Sequence, residues 1–239
     1  VKYDTEFAMN EFRIHGQEWL LKRLSSELDL KVVFDVGSNI GEWSRMVRQI
    51  YPNGEIHSFE MVPEAYSKLL SNEFTHTNFY PNLFALGDKT GVIPYMYKPN
   101  WSVLSSTLTN LDTENGEGSN EKRNAICLRG DDYVISRNID HIDFLKIDTE
   151  GAEGRVMKGF ENTFRQGKVR IIEFEYSFGN ILDNWLLKDS YEFLEPYGFK
   201  IGKLLQDHIE FSDYGLIMED FKGPDMIAVH EEWWPTFGL

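Results

Sequence analysis

From Val32 to Gly41 the chain runs from a short β-branched stretch straight into a glycine turn, and few folds tolerate that junction. Lys31-Val32-Val33-Phe34-Asp35-Val36 reads as a buried strand: brief, apolar and ended by Gly37. Ile40 to Ile50 reads as a helix with Trp43, Val47 and Ile50 on one face, stopped by Pro52-Asn53-Gly54. Glu55 to Phe59 is a second short strand, and Pro63 stands where a helix favours its first residue. Strand, helix, strand, helix in this order argues for a twisted, mostly parallel sheet with helices on both faces, because a right-handed crossover returns each strand to the same sheet.

The alternation continues. Thr77–Leu83 reads as a third strand, Gly91–Lys98 as an edge strand given Pro94, and residues 110–124 as a polar mobile loop. A short helix over Asp131–Arg137, a strand over Ile142–Ile147, a helix from Gly151 to Phe160 and a strand over Val169–Phe174 follow. The tail offers a helix around Tyr191–Leu194 and strands near Phe199–Leu205 and Met226–His230. Residues 1–30, with Trp19, Leu20, Leu24 and Leu28 at helical spacing, read as an N-terminal helical extension, and 31–239 as one α/β domain.

Composition narrows the partners. The 41% apolar content, with 17 Phe, 11 Tyr and 6 Trp, suffices for one sizeable core. A formal net charge of -15 without any Lys/Arg run argues against nucleic acid and against an anionic membrane surface. Cys127 is alone, no apolar stretch approaches a bilayer span, and no signal-like start is present, so the expected location is cytoplasmic. A start at Val1 is compatible with excision from a longer polypeptide. The sequence sets no oligomeric state.

The turn Asp35-Val36-Gly37-Ser38-Asn39-Ile40-Gly41 lies where open α/β sheets bind ligands, beyond the carboxyl ends of the strands. Gly37 suits the tight turn, Gly41 suits close packing of helix on strand, and free backbone N–H groups here would meet an anionic group. Glu60 ends the second strand, where an acid accepts hydrogen bonds from two ribose hydroxyls. A dinucleotide site prefers glycine at the position of Asn39 and again at the position of Glu42. An acid and an amide there instead suit a ligand carrying an ammonium and a carboxylate, as the methionine end of S-adenosylmethionine does. A rival oxidoreductase reading needs a Tyr-x-x-x-Lys pair, which neither Tyr176 nor Tyr191 supplies.

Phe34 to Gly41 resembles the first motif of the FkbM-type methyltransferases. The run Ile142-Asp143-Phe144-Leu145-Lys146-Ile147-Asp148-Thr149-Glu150-Gly151-Ala152-Glu153 is similar to that family's Lys-Ile-Asp-Val-Glu-Gly-Ala-Glu segment. Ala85-Leu86-Gly87-Asp88 with Gly91, more loosely Ser105-Ser106-x-Leu108, and the strand Ile171–Glu175 also match. The resemblance covers about residues 30–178. Ser38 and Thr149 stand where the family has Ala and Val. It implies a class I methyltransferase (Rossmann-like) fold, S-adenosylmethionine as methyl donor, and O-methylation of a sugar or secondary metabolite.

On that reading the donor contacts are Asp35, Gly37, Ser38, Asn39, Gly41, Glu60, Met61, Ala85 and Asp148. Asp35 and Asn39 would serve the methionine end, and Met61 with Ala85 the adenine. Asp148, Glu150, Lys146, Glu173 and His208 are the candidates for catalysis, since a hydroxyl acceptor has to lose its proton. Lys146 in mid-strand needs a charge partner, and a structural ion pair is the favoured role. Glu173 and Glu175 share a strand face, so one of them should reach the site or Lys146. Asp148, Glu150 and Glu173 form an oxygen set of the kind Mg²⁺ accepts, although no metal is assigned. The expected acceptor is a small molecule. Its alternatives are a carboxylate or amine of a peptide, met by the aromatic tail (Trp185, Tyr191, Phe193, Tyr197, Phe199, Trp233, Trp234), or a non-catalytic nucleoside-binding role.

Overall fold

The computed structural model describes residues 12–72, 77–97, 121–221 and 225–238. An eight-stranded sheet carries the molecule, in the order β10-β9-β11-β8-β7-β1-β2-β3. Its parallel half consists of β1 (Val32–Val36), β2 (Glu55–Phe59), β3 (Phe79–Asn82), β7 (Ile142–Ile147) and β8 (Val169–Phe174). β11 (Met226–His230) runs antiparallel between β8 and β9 (Phe199–Leu204), and β10 (Ile209–Phe211) closes that edge. The chain winds outward from β1 to β3, then returns to place β7 on the other side of β1. The carboxyl ends of β1 and β7 therefore form the topological switch point, where the crossovers diverge and leave a crevice.

All six residues of β7 are buried, as expected for a central parallel strand covered on both faces. Alternation sends Leu145 and Ile147 into one core with Phe34, Val36, Met157, Phe160 and Ile172. Phe144 enters the other core, with Val33, Trp43, Val47 and Ile171. Helix α1 (Gln17–Ser25) belongs to this second core through Leu20, Leu21 and Leu24, and packs beside α2 (Glu42–Ile50). Helix α3 (Pro63–Leu70) adds Leu69 there. On the opposite face lie α4 (Gly130–Ser136), α5 (Glu153–Gly159), α6 (Glu161–Arg165) and, after the short α7 (Gly179–Leu182), α8 (Leu187–Leu194). The chain closes in α9 (Trp234–Phe237).

A second, three-stranded sheet was not foreseen. β6 (Glu121–Arg129) pairs antiparallel with β5 (Gly91–Tyr97) and parallel with β4 (Ala85–Gly87). Residues 121–124, expected within a loop, are strand. Their side chains Glu121, Lys122, Arg123 and Asn124 carry no apolar alternation, because most of this stretch faces solvent. Its order comes from the β5 ladder, and Arg123 lies over the Tyr97 ring at 3.7 Å while reaching Glu64. The remainder of the expected loop and the Ser105–Leu108 match lie outside the described residues. The aromatic tail is core rather than pocket: Trp185, Tyr191 and Phe199 are buried in the first core, where Phe193 and Tyr197 pack, and Trp233 and Trp234 pack on the second.

Candidate active site

The turn after β1 is shaped by what it must pass. Gly37 has φ +85°, and a Cβ there would fall 1.7 Å from the Asp148 carbonyl oxygen. Only glycine lets the ends of β1 and β7 approach this closely, with the Asp148 N–H donating to the Val36 carbonyl at 2.9 Å. Gly41 is also left-handed, at φ +87°, so its place follows from the turn entering α2 rather than from helix–strand packing.

The backbone of this turn is already committed. The N–H groups of Gly37 and Ser38 both donate to the Phe59 carbonyl, and the N–H of Gly41 donates to Ser38. The Asn39 N–H donates to Glu60 Oε2 at 2.8 Å, and the Val62 N–H to Glu60 Oε1 at 2.6 Å. The free donors expected here for an anionic group are therefore absent at these four positions. A pyrophosphate would find a buried carboxylate in their stead, which removes the physical basis for a dinucleotide ligand.

Glu60 is only 7% exposed, and burial pushes its carboxyl up to about 7 against the pull of the Val62 and Asn39 amides. Each of its oxygens keeps a second lone pair for a further donor. The Oδ1 of Asn39 is buried without a hydrogen-bond partner. Between these groups runs a cleft lined by Val36, Gly37, Asn39, Phe59, Glu60 and Met61 on one side, and by Ala85, Leu86, Asp148, Thr149, Glu150 and Ala152 on the other. Its walls are apolar with a few convergent acceptors, which suits a nucleoside with a cationic, hydrogen-bonding tail.

Of the donor contacts expected from sequence, Gly37, Asn39, Glu60, Met61, Ala85 and Asp148 line this cleft. Asp35, Ser38 and Gly41 do not. Asp35 points to the α2 face, where its Oδ2 accepts from the Ser44 hydroxyl at 2.6 Å and it neighbours Lys146 in the β1–β7 register. It is 1% exposed, and burial raises its carboxyl against the pull of Lys146 and Ser44. The alternation that buried Phe34 on one face necessarily turned Asp35 to the other.

The opposite wall is acidic. Asp148, Glu150 and Glu175 each bring a carboxylate oxygen into a group within 4.8 Å of one another. Glu175 takes the place expected for Glu173, one pleat further along the strand. Burial and the charges of Asp148, Glu153 and Glu150 push Glu175 up to about 10, and its Oε2 is buried without a partner. The spacing would admit a divalent cation, although acidic groups this close are common without one. Glu150 holds a left-handed conformation, φ +56°, on the loop after β7. Glu153 fixes that loop: its Oε1 accepts from the Thr149 N–H and hydroxyl and from the Gly151 N–H, and its Oε2 from Asn180. Sequence alone assigns Glu153 no role in the site, and this scaffold is what it misses.

Lys146 and Glu173 lie beneath that wall. The Lys146 ammonium donates to Asp148 Oδ2 at 2.6 Å and is 4% exposed, the ion pair expected from its mid-strand position. Burial opposes its charge, but Asp148, Glu173 and Asp35 outweigh that and hold it above the ordinary lysine range. Glu173 faces Lys146 in the β7–β8 register. His208 is not brought to these groups. It is exposed on the β9–β10 turn at the far sheet edge, paired with Asp207 at 2.8 Å.

The methyltransferase FkbM domain family matches residues 35–201. The chain belongs to that family. Among curated proteins, 31-O-demethyl-FK506 methyltransferase FkbM of Streptomyces tacrolimicus is 25% identical over 179 residues, 63% of this chain and 69% of that protein. Methyltransferase sdnD of Sordaria araneosa is 25% identical over 156 residues, 54% of this chain and 60% of its own. Hexuronic acid methyltransferase AglP of Haloferax volcanii is 25% identical over 162 residues, 67% and 63% respectively. A crystal structure of methyltransferase FkbM from Methylobacillus flagellatus KT shares the fold at TM-score 0.53 and 14% identity, across 95% of this chain and 50% of that one. The chain thus spans between half and about two thirds of the length of these relatives. Its fold is the class I methyltransferase fold. Among the described residues no helix is long and apolar enough to cross a membrane.

Proposed function

We propose that this FkbM-family enzyme transfers a methyl group to a hydroxyl of a neutral small molecule. One observation carries the reading: a single cleft at the β1–β7 switch point is lined by a ribose-type acceptor pair, Glu60 with Asn39, and by the carboxylates Asp148 and Glu150, behind which Glu175 is buried. Bound S-adenosylmethionine would supply a methyl already activated by a sulfonium. Glu60 would take the ribose hydroxyls on its remaining lone pairs. Asn39 Oδ1 and Asp148 would receive the ammonium, and Met61, Ala85 and Leu86 would cover the adenine.

The acceptor hydroxyl must surrender its proton as the C–O bond forms. A carboxylate oxygen of Asp148 or Glu150 would hold that proton, with Lys146 fixing Asp148 in place. Such a wall repels a carboxylate acceptor, so esterification of an acid is disfavoured. The relatives' names divide: one acts on 31-O-demethyl-FK506, which supports a hydroxyl acceptor, and another on a hexuronic acid, an anionic acceptor that such a wall does not favour. An amine acceptor is the second reading, since the same carboxylates would attract an ammonium.

Calorimetric titration with S-adenosylhomocysteine, with NAD as control, tests the donor half. Mass-spectrometric detection of a 14-Da gain on neutral hydroxylated, amino and carboxylated acceptor panels tests the other. Binding of NAD in place of S-adenosylhomocysteine, or methylation confined to carboxylates, would overturn the reading.

A further inference from the structure

Six of the twelve exposed large apolar side chains among the described residues belong to one region beside the cleft: Phe178, Ile181, Leu182, Leu186, Leu216 and Ile217. Scattered singly such residues mean little, but a group this dense marks a contact surface. The region is bolted to the carboxylate side of the cleft. A Cβ at Gly179 would fall 2.8 Å from the Glu150 carbonyl oxygen. Asn180 donates to Glu153 Oε2 at 2.8 Å and accepts the Ser177 N–H at 2.8 Å. Phe178 is therefore fixed beside the Glu150 loop, yet it is 69% exposed. From there a row of rings leads to Tyr176: Phe178 stacks on Phe221 at 6.0 Å, and Phe221 meets Tyr176 at 5.2 Å. Phe221 holds φ +53°, a left-handed conformation that a bulky side chain rarely adopts, and its ring completes the row. Beside Tyr176 lies a cavity of about 160 Å³ against Leu187, Ile217, Met218 and Met226, with the Lys203–Asp220 ion pair (2.9 Å) on its wall. Glu219 ties the turn Leu216–Met218 to the start of α8, accepting from the Leu187 and Lys188 N–H groups and from the Tyr176 and Tyr214 hydroxyls.

We propose that this row is the acceptor subsite and that the acceptor is a neutral alcohol with an apolar body. Its hydroxyl reaches the Asp148 and Glu150 carboxylates, its hydrocarbon part lies on Phe178, Phe221 and Ile217, and the cavity beside Tyr176 takes its far end. This rests on the hydroxyl-transfer reading above and names the class of acceptor. On that reading the donor's adenosine occupies the Glu60, Met61 and Ala85 side of the cleft, which leaves the Glu150 side for the acceptor. Glu150 is where the cleft and the row of rings meet. The chemistry of the row excludes a bare sugar, because each hydroxyl that a sugar buries needs a hydrogen-bond partner. The polar groups along the row are committed to one another: Lys203 to Asp220, and two tyrosine hydroxyls and two backbone amides to Glu219. What they leave to a ligand is apolar area, which stabilises a hydrocarbon in proportion to the surface removed from water. A cavity of this order holds a group the size of benzene. An anionic lipid surface is opposed by the carboxylates and by the formal net charge of -15.

Simple alcohols test the subsite without knowledge of the natural acceptor. The protein saturated with S-adenosylhomocysteine is titrated calorimetrically with 1-hexanol, 1-octanol and, as a polar control, myo-inositol. Wild type should bind octanol roughly tenfold more tightly than hexanol, the gain from burying two further methylene groups, and should give no saturable heat with myo-inositol. Phe178→Ser and Ile217→Ser alter side chains that are 69% and 93% exposed, so both variants should melt with the wild type. In each, the octanol-to-hexanol ratio should fall to about threefold or less, because part of the apolar area is gone. An unchanged ratio in both variants, or myo-inositol bound as tightly as octanol, overturns the inference and leaves the donor reading intact. A wild type that does not bind S-adenosylhomocysteine overturns the donor reading, and this inference with it. Light scattering and vesicle sedimentation on the same samples test the other occupants of the patch. A wild-type dimer that Ile217→Ser dissolves would make this face a contact between copies, and sedimentation with neutral phosphatidylcholine vesicles that the same variant abolishes would make it a lipid-binding face. Either result overturns the acceptor subsite.

Discussion

The two walls of the cleft are built on opposite physical plans. The β1–β2 wall is a backbone clamp: four turn amides are spent on the Phe59 and Ser38 carbonyls and on Glu60, and one acid serves as the keystone. The β7–β8 wall is a charge assembly in which carboxylates crowd around Lys146 and are steadied from behind by Gln17. The first wall sets shape and tolerates little change. The second sets potential, so it should respond to pH and to charge-altering substitutions more than to small changes of geometry.

That contrast can be broken in several ways. The largest effect is expected from Gly37→Ala, which forces a Cβ against the Asp148 carbonyl in a left-handed conformation. A stability loss of about 3 kcal/mol or more follows from strain of this kind. Denaturant unfolding measures it, and a loss near zero would mean that the strand ends can part freely.

Lys146→Met should cost about 3 kcal/mol at pH 8 by leaving buried carboxylates without their cation. Glu173 and Asp225 have raised folded-state values, about 8 and 6, and Lys146 favours the charged form of each, so they carry protons below those values and charge above them. The penalty of losing Lys146 should therefore shrink as pH falls from 8 to 6. Unfolding curves at both pH values decide this, and a penalty independent of pH would contradict the charge-assembly account.

Glu60→Ala should weaken S-adenosylhomocysteine by about 2 kcal/mol, roughly thirtyfold, since two ribose hydroxyls and two backbone amides lose their acceptor. Unchanged affinity by calorimetry would remove the ribose from this position. In the wild type, Glu60 ionises near pH 7. Ribose hydroxyls favour the ionised form, so donor affinity should rise as pH passes upward through about 7 and level off above it. A flat profile would mean that Glu60 titrates without sensing the ligand. The smallest effect is expected from chelation: EDTA should leave donor affinity unchanged, and a loss restored by Mg²⁺ would assign the Asp148, Glu150 and Glu175 oxygens to a metal.

Much of the backbone-clamp wall was legible in the chain itself. A β-branched run into Gly37, and an acid at Glu60 closing the next strand, are local patterns whose cause is local: strand end, turn and strand end. The Lys146–Asp148 pair was legible too, because period-two alternation puts both side chains on one face. Asp35 shares that face, in register with Lys146, and lies one pleat deeper than Asp148, which keeps it out of the cleft. The sequence leaves open which of Glu173 and Glu175 meets Lys146 and which joins Asp148, because the two share a face one pleat apart and register is set by pairing with β7. His208 was unplaceable, since its distance depends on how β9, β10 and β11 order themselves at the sheet edge.

The sequence by itself determined the alternation of strands and helices, the glycine turn and the chemistry of the cleft's acids, because each depends on residues within a few positions of one another. Only the tertiary structure decided that β6 completes a second sheet from polar residues, that Asn180 meets Glu153 beneath the loop carrying Glu150, and that Gln17 and Asp225 meet Glu173 behind the site. Those contacts join residues up to 208 positions apart, where no local preference acts and only the packing of strands and helices into one core brings the groups together.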